Sequence, residues 1–320
     1  MQTSITPIFS STYLLSLRRN MNEFQLIQTY FNQADLSFSH PNICHSIGDD
    51  CAELSIPSGK NLVTSIDTLV DGVHFPQGAS AYDIATRSLC VSLSDLAAMG
   101  AVPIGFTLAI TLPSLNEQWV KEFSGGLIEI ARMFNCPLFG GDTTKGPVLV
   151  ITIQVHGFVA RGASIKRSGA QAGDMVYVSG CLGDGAGALP IVLKDPLIRS
   201  GLAQHFYKPL PRIDFGQSIL PYATSALDIS DGLIQDLGHI CAASEVGMEI
   251  DIDSIPMSEL LLNTYDREQA LQYALNGGDD YQLAYTSSHC ENGICIGRVV
   301  EGNQVLVNGQ LIGDTGYQHF

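Results

Sequence analysis

Residues 84–100 read IATRSLCVSLSDLAAMG, and between Ile84 and Met99 the only charged residues are Arg87 and Asp95. Ile84, Ser88, Val91, Asp95 and Ala98 recur at helical spacing, and Gly100 and Pro103 supply a stop, so Ser80 to Met99 is expected as one long helix. Its other faces are nearly as apolar, which implies burial almost all round. A carboxylate in such a place costs roughly several kcal/mol unless it pairs with a cation, coordinates a metal or takes up a proton. With 16 Lys and Arg against 32 Asp and Glu, basic side chains are scarce, and a metal is the favoured partner for Asp95.

Outward from this helix, Asn61 to Ile66 and Val70 to Phe75 read as strands around Asp67 and Asp71. Ile104 to Leu112 and Pro147 to Val159 read as further strands, Asn116 opens a second long helix to Asn135, and Phe24 to Ala34 has helical spacing. The segment Arg161 to Gly173 turns polar and Gly-rich, a plausible boundary. Beyond it, strands are expected at Asp174 to Ser179, Ala226 to Ile229, Tyr281 to Thr286 and Ile294 to Val300, with a Gly-rich turn into a helix at Gly183 to Gly187 and a helix over Leu233 to Ser244. Strands alternating with long helices give an α/β class, and 320 residues suffice for two domains. The expected division is a loose tail over 1–20, an N-terminal domain over 21–160 and a C-terminal domain over 161–320.

A hydrophobic share of 45% excludes disorder, and a net charge of −16 would repel phosphate backbones and anionic lipid, so nucleic acid is not an expected partner. The eight cysteines contain no C-x-x-C pair and read mostly as reduced core residues. No run of 18 apolar residues exists, so a membrane span is not expected. Arg18 and Arg19 follow the apolar Tyr13 to Leu17, the reverse of a secretory signal; Met21 is a candidate start, and a cytoplasmic protein is expected.

Four further segments set acids beside glycine or at strand ends: Gly48-Asp49-Asp50, Ser65-Ile66-Asp67, Gly140-Gly141-Asp142-Thr143-Thr144 and Asp228-Ile229-Ser230-Asp231-Gly232. Each alone is ordinary turn chemistry. Together, without His or Cys among them, they suit a hard cation such as Mg²⁺, and their number implies more than one ion. Ser230 adds a hydroxyl and an amide for a phosphate, and Gly140 and Gly141 allow close approach of a ligand, features compatible with a nucleoside triphosphate. No P-loop, protein-kinase signature or G-x-S-x-G elbow is present. The glycines at 180, 183 and 185 have the wrong spacing for a dinucleotide fingerprint and read as a helix-opening turn. His74 reads as either a locally satisfied group or a substrate contact.

Six motifs in order, Ile47-Gly-Asp-Asp-Cys-Ala52, Thr64-Ser-Ile-Asp67 with Asp71-Gly-Val-His-Phe75, Ser92-Leu-Ser-Asp-Leu-Ala-Ala-Met-Gly100, Gly140-Gly-Asp-Thr-Thr144, Leu227-Asp-Ile-Ser-Asp-Gly-Leu233 and Asn276-Gly-Gly-Asp-Asp-Tyr281, closely resemble the thiamine-monophosphate kinase family. The resemblance covers roughly Met21 to Phe320. It implies ATP-dependent phosphorylation of thiamine monophosphate to thiamine diphosphate on the two-domain fold of the aminoimidazole ribonucleotide synthetase superfamily. A homodimer joined through the N-terminal domains and an active site in the cleft are implied as well. At matching positions Asp50, Ser65, Asp67, Asp95, Asp142, Asp228 and Asp231 resemble the family's magnesium ligands, with Ile66 contributing its backbone. Gly141, Asp142, Arg167 and Ser230 match nucleotide-contacting positions, and His74, Asp279 and Tyr317 match those nearest thiamine monophosphate. Two positions depart from the family pattern: Asp279 stands where Glu is common, and Tyr317 where Trp is frequent. The acceptor is itself an anionic phosphate, so neither a catalytic base nor a phosphoenzyme is assigned; several Mg²⁺ ions would offset repulsion and align an in-line displacement. The rival readings are a sister enzyme such as aminoimidazole ribonucleotide synthetase, and a non-catalytic acidic cation-binding protein.

Overall fold

A computed structural model describes residues 21–289 and 292–311; the expected tail over 1–20 and Tyr317 lie outside the described residues. The chain enters through a short helix α1 (Glu23–Leu26), whose Asn22 and Gln25 form a reciprocal capping box, and continues as a π-helical turn over Ile27–Phe31. A small antiparallel pair, β1 (Ile43–His45) and β2 (Glu53–Leu54), follows. The first large unit is then β3 (Lys60–Val70), α2 (Ala81–Ala98), β4 (Val102–Leu112), α3 (Glu117–Met133), β5 (Leu138–Lys145) and β6 (Val150–Ala160). Its sheet has the order β3-β6-β4-β5, with only β4 and β5 parallel.

Two details differ from the sequence expectations. Asp67 lies inside a single uninterrupted strand, and Val70 to Phe75 is a tight turn, not a second strand: Gly72 takes φ +74°, and its amide closes onto the Phe75 carbonyl at 3.0 Å. Gly140 to Thr144 likewise belongs to β5, where pairing with β4 overrides the turn-like composition.

One face of this sheet packs on the helices, burying Leu69, Ile153, Leu108 and their neighbours in the same rows. The other face is open: Ile66 is 61% exposed and Val102 49%. Helix α2, N-capped by Ser80, is buried nearly all round because a second layer covers it. That layer comes from the C-terminal half: β7 (Met175–Val178), α4 (Asp184–Lys194), α5 (Ala203–Tyr207), α6 (Ile213–Ile219), β8 (Ser225–Asp228), α7 (Leu233–Ser244), β9 (Gly247–Ile250), α8 (Glu259–Thr264), α9 (Arg267–Asn276), β10 (Leu283–Ser287), β11 (Ile294–Val300), β12 (Val305–Val307) and β13 (Gln310–Leu311). Helix α6 approaches α2 so closely that a Cβ on Gly216 would lie 2.0 Å from the Ala97 carbonyl oxygen. The seven strands form a mixed sheet in the order β13-β12-β9-β11-β7-β10-β8, parallel only between β9 and β12.

One apolar core runs without a break from the first sheet through α2 to Phe206, Ile219 and Tyr285; a second lies between α7 and the other sheet, around Leu237, Ile240 and Met248. Among the described residues no helix is long and apolar enough to cross a membrane.

Candidate active site

Three elements distant in sequence bring three carboxylates together. β3 contributes Asp67, α2 contributes Asp95, and the last residue of β8 is Asp228. Asp95 accepts a short hydrogen bond from the Ser65 hydroxyl. Burial, then the neighbouring Asp95 charge, push the Asp67 carboxyl up to about 6 against an opposing Ser92 hydroxyl. The same two causes raise the Asp228 carboxyl, with Ser94 pulling the other way. Among the described residues none of the three forms an ion pair, and Asp67 Oδ2 is buried without a hydrogen-bond partner. Carboxylates forced together in a poorly solvated place, with an orphaned oxygen and only oxygen donors nearby, fit a hard divalent cation such as Mg²⁺.

The turn after β8 carries Ser230 and Asp231. It is held by Asp236, in the first turn of α7, whose Oδ2 accepts from the amides of Ser230, Asp231 and Gly232 at 3.0, 3.0 and 3.2 Å. Burial raises Asp236 to about 7 despite these donors. Its acidic neighbour Asp231 is bonded by the Gln235 amide at 3.2 Å.

Two cavities of about 1080 and 550 Å³ share Asp95, Arg167 and Asp228 in their walls. The larger extends from the carboxylates between the apolar α4 residues Leu189 and Leu193, the turn carrying Val73 and His74, and α9 with Tyr273 and Asn276, and Asp279 also lines it. The smaller is lined by Val63, Leu96 and Ile165 together with Lys166 and Arg167. His74 lines the larger cavity, and its Nδ1 accepts from the Val70 amide at 3.1 Å.

The adjacent acids Asp279 and Asp280 face opposite ways. Asp279 is ion-paired with Arg87 at 2.7 Å. Asp280 is half-buried and accepts from the Gly183 and Gly185 amides, at 2.8 and 3.2 Å, at the start of α4. Burial pushes Asp280 up to about 8, outweighing those amide bonds.

The remaining expected site residues lie elsewhere. Asp50 is exposed on the irregular segment before β2 and lines neither cavity. Gly141 stands in the same row as Asp67, through Ile153 and Leu108, but three strand spacings away, about 14 Å. A Cβ on Gly141 would lie 2.0 Å from the Leu108 carbonyl oxygen, so here glycine serves strand packing. Asp142 occupies the next row, through Thr68, Thr152 and Ala109, and is exposed on the open face of the sheet. Within one chain the structure therefore groups Asp67, Asp95 and Asp228, with Ser230 and Asp231 lining the larger cavity beside them, and leaves Asp50 and Asp142 apart. Arg87, Asp236 and Asp280 were assigned no role from the sequence; Arg87 left a signal as a lone cation on a buried helix, Asp280 lay inside the sixth motif, and Asp236 left none.

A family model described as AIR synthase related protein, N-terminal domain, matches residues 48–159. The thiamine-monophosphate kinase of Escherichia coli (strain K12) is 41% identical over 321 residues, covering 93% of this chain and 98% of that protein. The chain belongs to the thiamine-monophosphate kinase family. Solved structures agree. A thiamine-monophosphate kinase from Stenotrophomonas maltophilia K279a superposes with a TM-score of 0.80 at 39% identity, covering 85% of this chain and 93% of that one. AaThiL complexed with AMPPCP and TMP superposes at 0.78 with 31% identity, covering 94% and 97%. This places the mixed α/β architecture in the AIR synthase-like fold.

Proposed function

We propose that this protein transfers the γ-phosphoryl group of ATP to thiamine monophosphate, releasing thiamine diphosphate and ADP. The observation that carries the reading is the convergence of Asp67, Asp95 and Asp228, without ion-pair partners among the described residues, where two cavities meet. The family's activity and the AaThiL complex with AMPPCP and TMP support the assignment of substrates. A purely cation-binding role would leave both cavities without an occupant.

In this reading Asp67, Asp95 and Asp228, with Ser65, the Ile66 carbonyl and Asp231, hold several Mg²⁺ ions, which when bound supply the positive charge that lets two phosphates approach in line, and Asp50 and Asp142, apart from them within one chain, join them only from the second copy of a homodimer. Arg167 and Ser230 orient ATP, the smaller cavity offering Lys166 and Arg167 to its phosphates, while Gly141 and Asp142 reach it only from the second copy. His74 and Asp279 border the larger cavity, where the acceptor's organic head fits against Leu189 and Leu193; Tyr317 completes the proposed acceptor contacts. No side chain removes a proton, because the nucleophile is an already ionised phosphate oxygen. The half over 21–160 is the ATP- and Mg²⁺-binding half, and the half over 161–320 closes the cleft while adding Arg167, Asp228, Ser230 and Asp231 to the site. The open sheet face with Ile66 and Val102 joins two copies into a homodimer.

Incubation with ATP, Mg²⁺ and thiamine monophosphate should yield thiamine diphosphate and ADP in equal amounts, and none without Mg²⁺. Absence of thiamine diphosphate under these conditions would overturn the reading.

A further inference from the structure

Arg87 is buried, its side chain 4% exposed, and no step of the proposed reaction uses it. Its guanidinium stands 3.9 Å from the centroid of the Phe206 ring and donates to acceptors on three separate segments. Nε reaches the His74 carbonyl at 3.0 Å, Nη1 the Phe206 carbonyl at 2.8 Å and Nη2 the Asp279 Oδ1 at 2.7 Å. The Tyr281 hydroxyl donates to that same Oδ1 at 3.1 Å. Among the described residues Oδ2 of Asp279 accepts no hydrogen bond, and Asp279, 26% exposed, borders the larger cavity.

The backbone around this carboxylate is held with equal care. Asp279 and Tyr281 adopt φ +66° and +50°, a region that side-chain-bearing residues rarely enter. Their amides donate to the Ser230 and Ile229 carbonyls at 2.9 and 2.8 Å, while Asp280 ties the loop to the start of α4. A conformation of this kind persists only where its surroundings over-determine it, and such places gather at ligand sites.

We propose that Arg87 is a positioning residue for the acceptor substrate: it fixes Oδ1 of Asp279 so that Oδ2 faces the cavity, ready to accept an N–H from the acceptor's organic head. Arg87 itself lines this cavity, with only 4% of its side chain exposed. Its charge also offsets that of Asp279, so this part of the cavity wall selects by hydrogen bonding and shape, unlike the carboxylates of Asp67, Asp95 and Asp228. The inference rests on the kinase reading above and adds to it the residue that sets acceptor affinity.

Steady-state kinetics of Arg87→Lys, Asp279→Asn and the double variant test it. Lysine keeps the charge but cannot serve three acceptors in one plane. Arg87→Lys should raise KM for thiamine monophosphate about tenfold, with KM for ATP and kcat changing by less than about twofold. In the Asp279→Asn background the same substitution should add nothing, because its effect runs through Asp279. A parallel rise in KM for ATP, or effects that multiply in the double variant, would overturn the proposal. If Arg87→Lys does not fold, Tyr281→Phe decides: it removes one donor to the same oxygen and should raise KM for thiamine monophosphate about threefold, but not in the Asp279→Asn background. An unchanged KM overturns the proposal. A wild-type protein that makes no thiamine diphosphate overturns the kinase reading and this inference with it, whereas wild-type turnover with indifferent variants overturns the role of Arg87 alone.

Discussion

Asp95 shows how much a single residue can disclose. Its isolation on an apolar helix was visible in the sequence, and so was its need for a partner. The structure gives it Ser65 and two further carboxylates in place of a basic side chain. Asp95→Asn and Asp67→Asn should each lower kcat by orders of magnitude while circular dichroism and unfolding temperature stay near wild type; near-normal turnover in both would remove the metal assignment. Arg87 was equally visible, but its partner Asp279 lies 192 positions away, so no spacing rule could pair them. Asp280 makes a different prediction. Its carboxyl ionises near 3.8 in the unfolded chain and near 8 when folded. Between those values the folded state retains a proton that the unfolded chain has released, so this group's contribution to stability falls as pH rises through the window. Asp280→Asn cannot ionise; the unfolding temperature of the variant should gain on wild type between pH 5 and pH 8. Parallel curves would contradict the raised Asp280 carboxyl.

Long elements were legible because their periodicity is strong: α2, α3 and β6 lie close to where the pattern puts them, and α7 and β11 match to the residue. Segments whose structure depends on distant neighbours were not. Gly140 to Thr144 has the composition of a turn and becomes a strand only by pairing with β4. Val70 to Phe75 has alternating apolar residues and becomes a turn because Gly72 reverses the chain. The short strands β9 and β12 gain their order from sheet partners, not from local pattern. The contact between α2 and α6 also belongs to this scale, and it positions the helix that carries Asp95. Gly216→Ala would place a methyl group against the Ala97 carbonyl and should destabilise the fold by about 1–3 kcal/mol, measured by denaturant unfolding. A change below a few tenths of a kcal/mol would mean that the helices yield without strain.

Across the whole molecule, the acid excess that argued against polyanionic partners becomes coherent when cations mediate between the protein and its phosphate ligands. The open face of the first sheet is the other whole-molecule feature, for it carries exposed Ile66 and Val102 beside Asp142. Sedimentation should show a dimer, and Val102→Asp should shift it toward monomer; a monomeric wild type would contradict the proposed interface. Asp142 and Asp50, which one chain leaves apart from the other acids, mark the limit of what spacing alone could locate. The most direct measurement is anomalous diffraction from crystals grown with Mn²⁺ and a non-hydrolysable ATP analogue. Cation sharing requires Mn²⁺ peaks at about 2.0–2.3 Å from oxygens of Asp67, Asp95 and Asp228, joined to the analogue's phosphates. Carboxylates free of metal in that complex, with Mn²⁺ bound elsewhere, would contradict it.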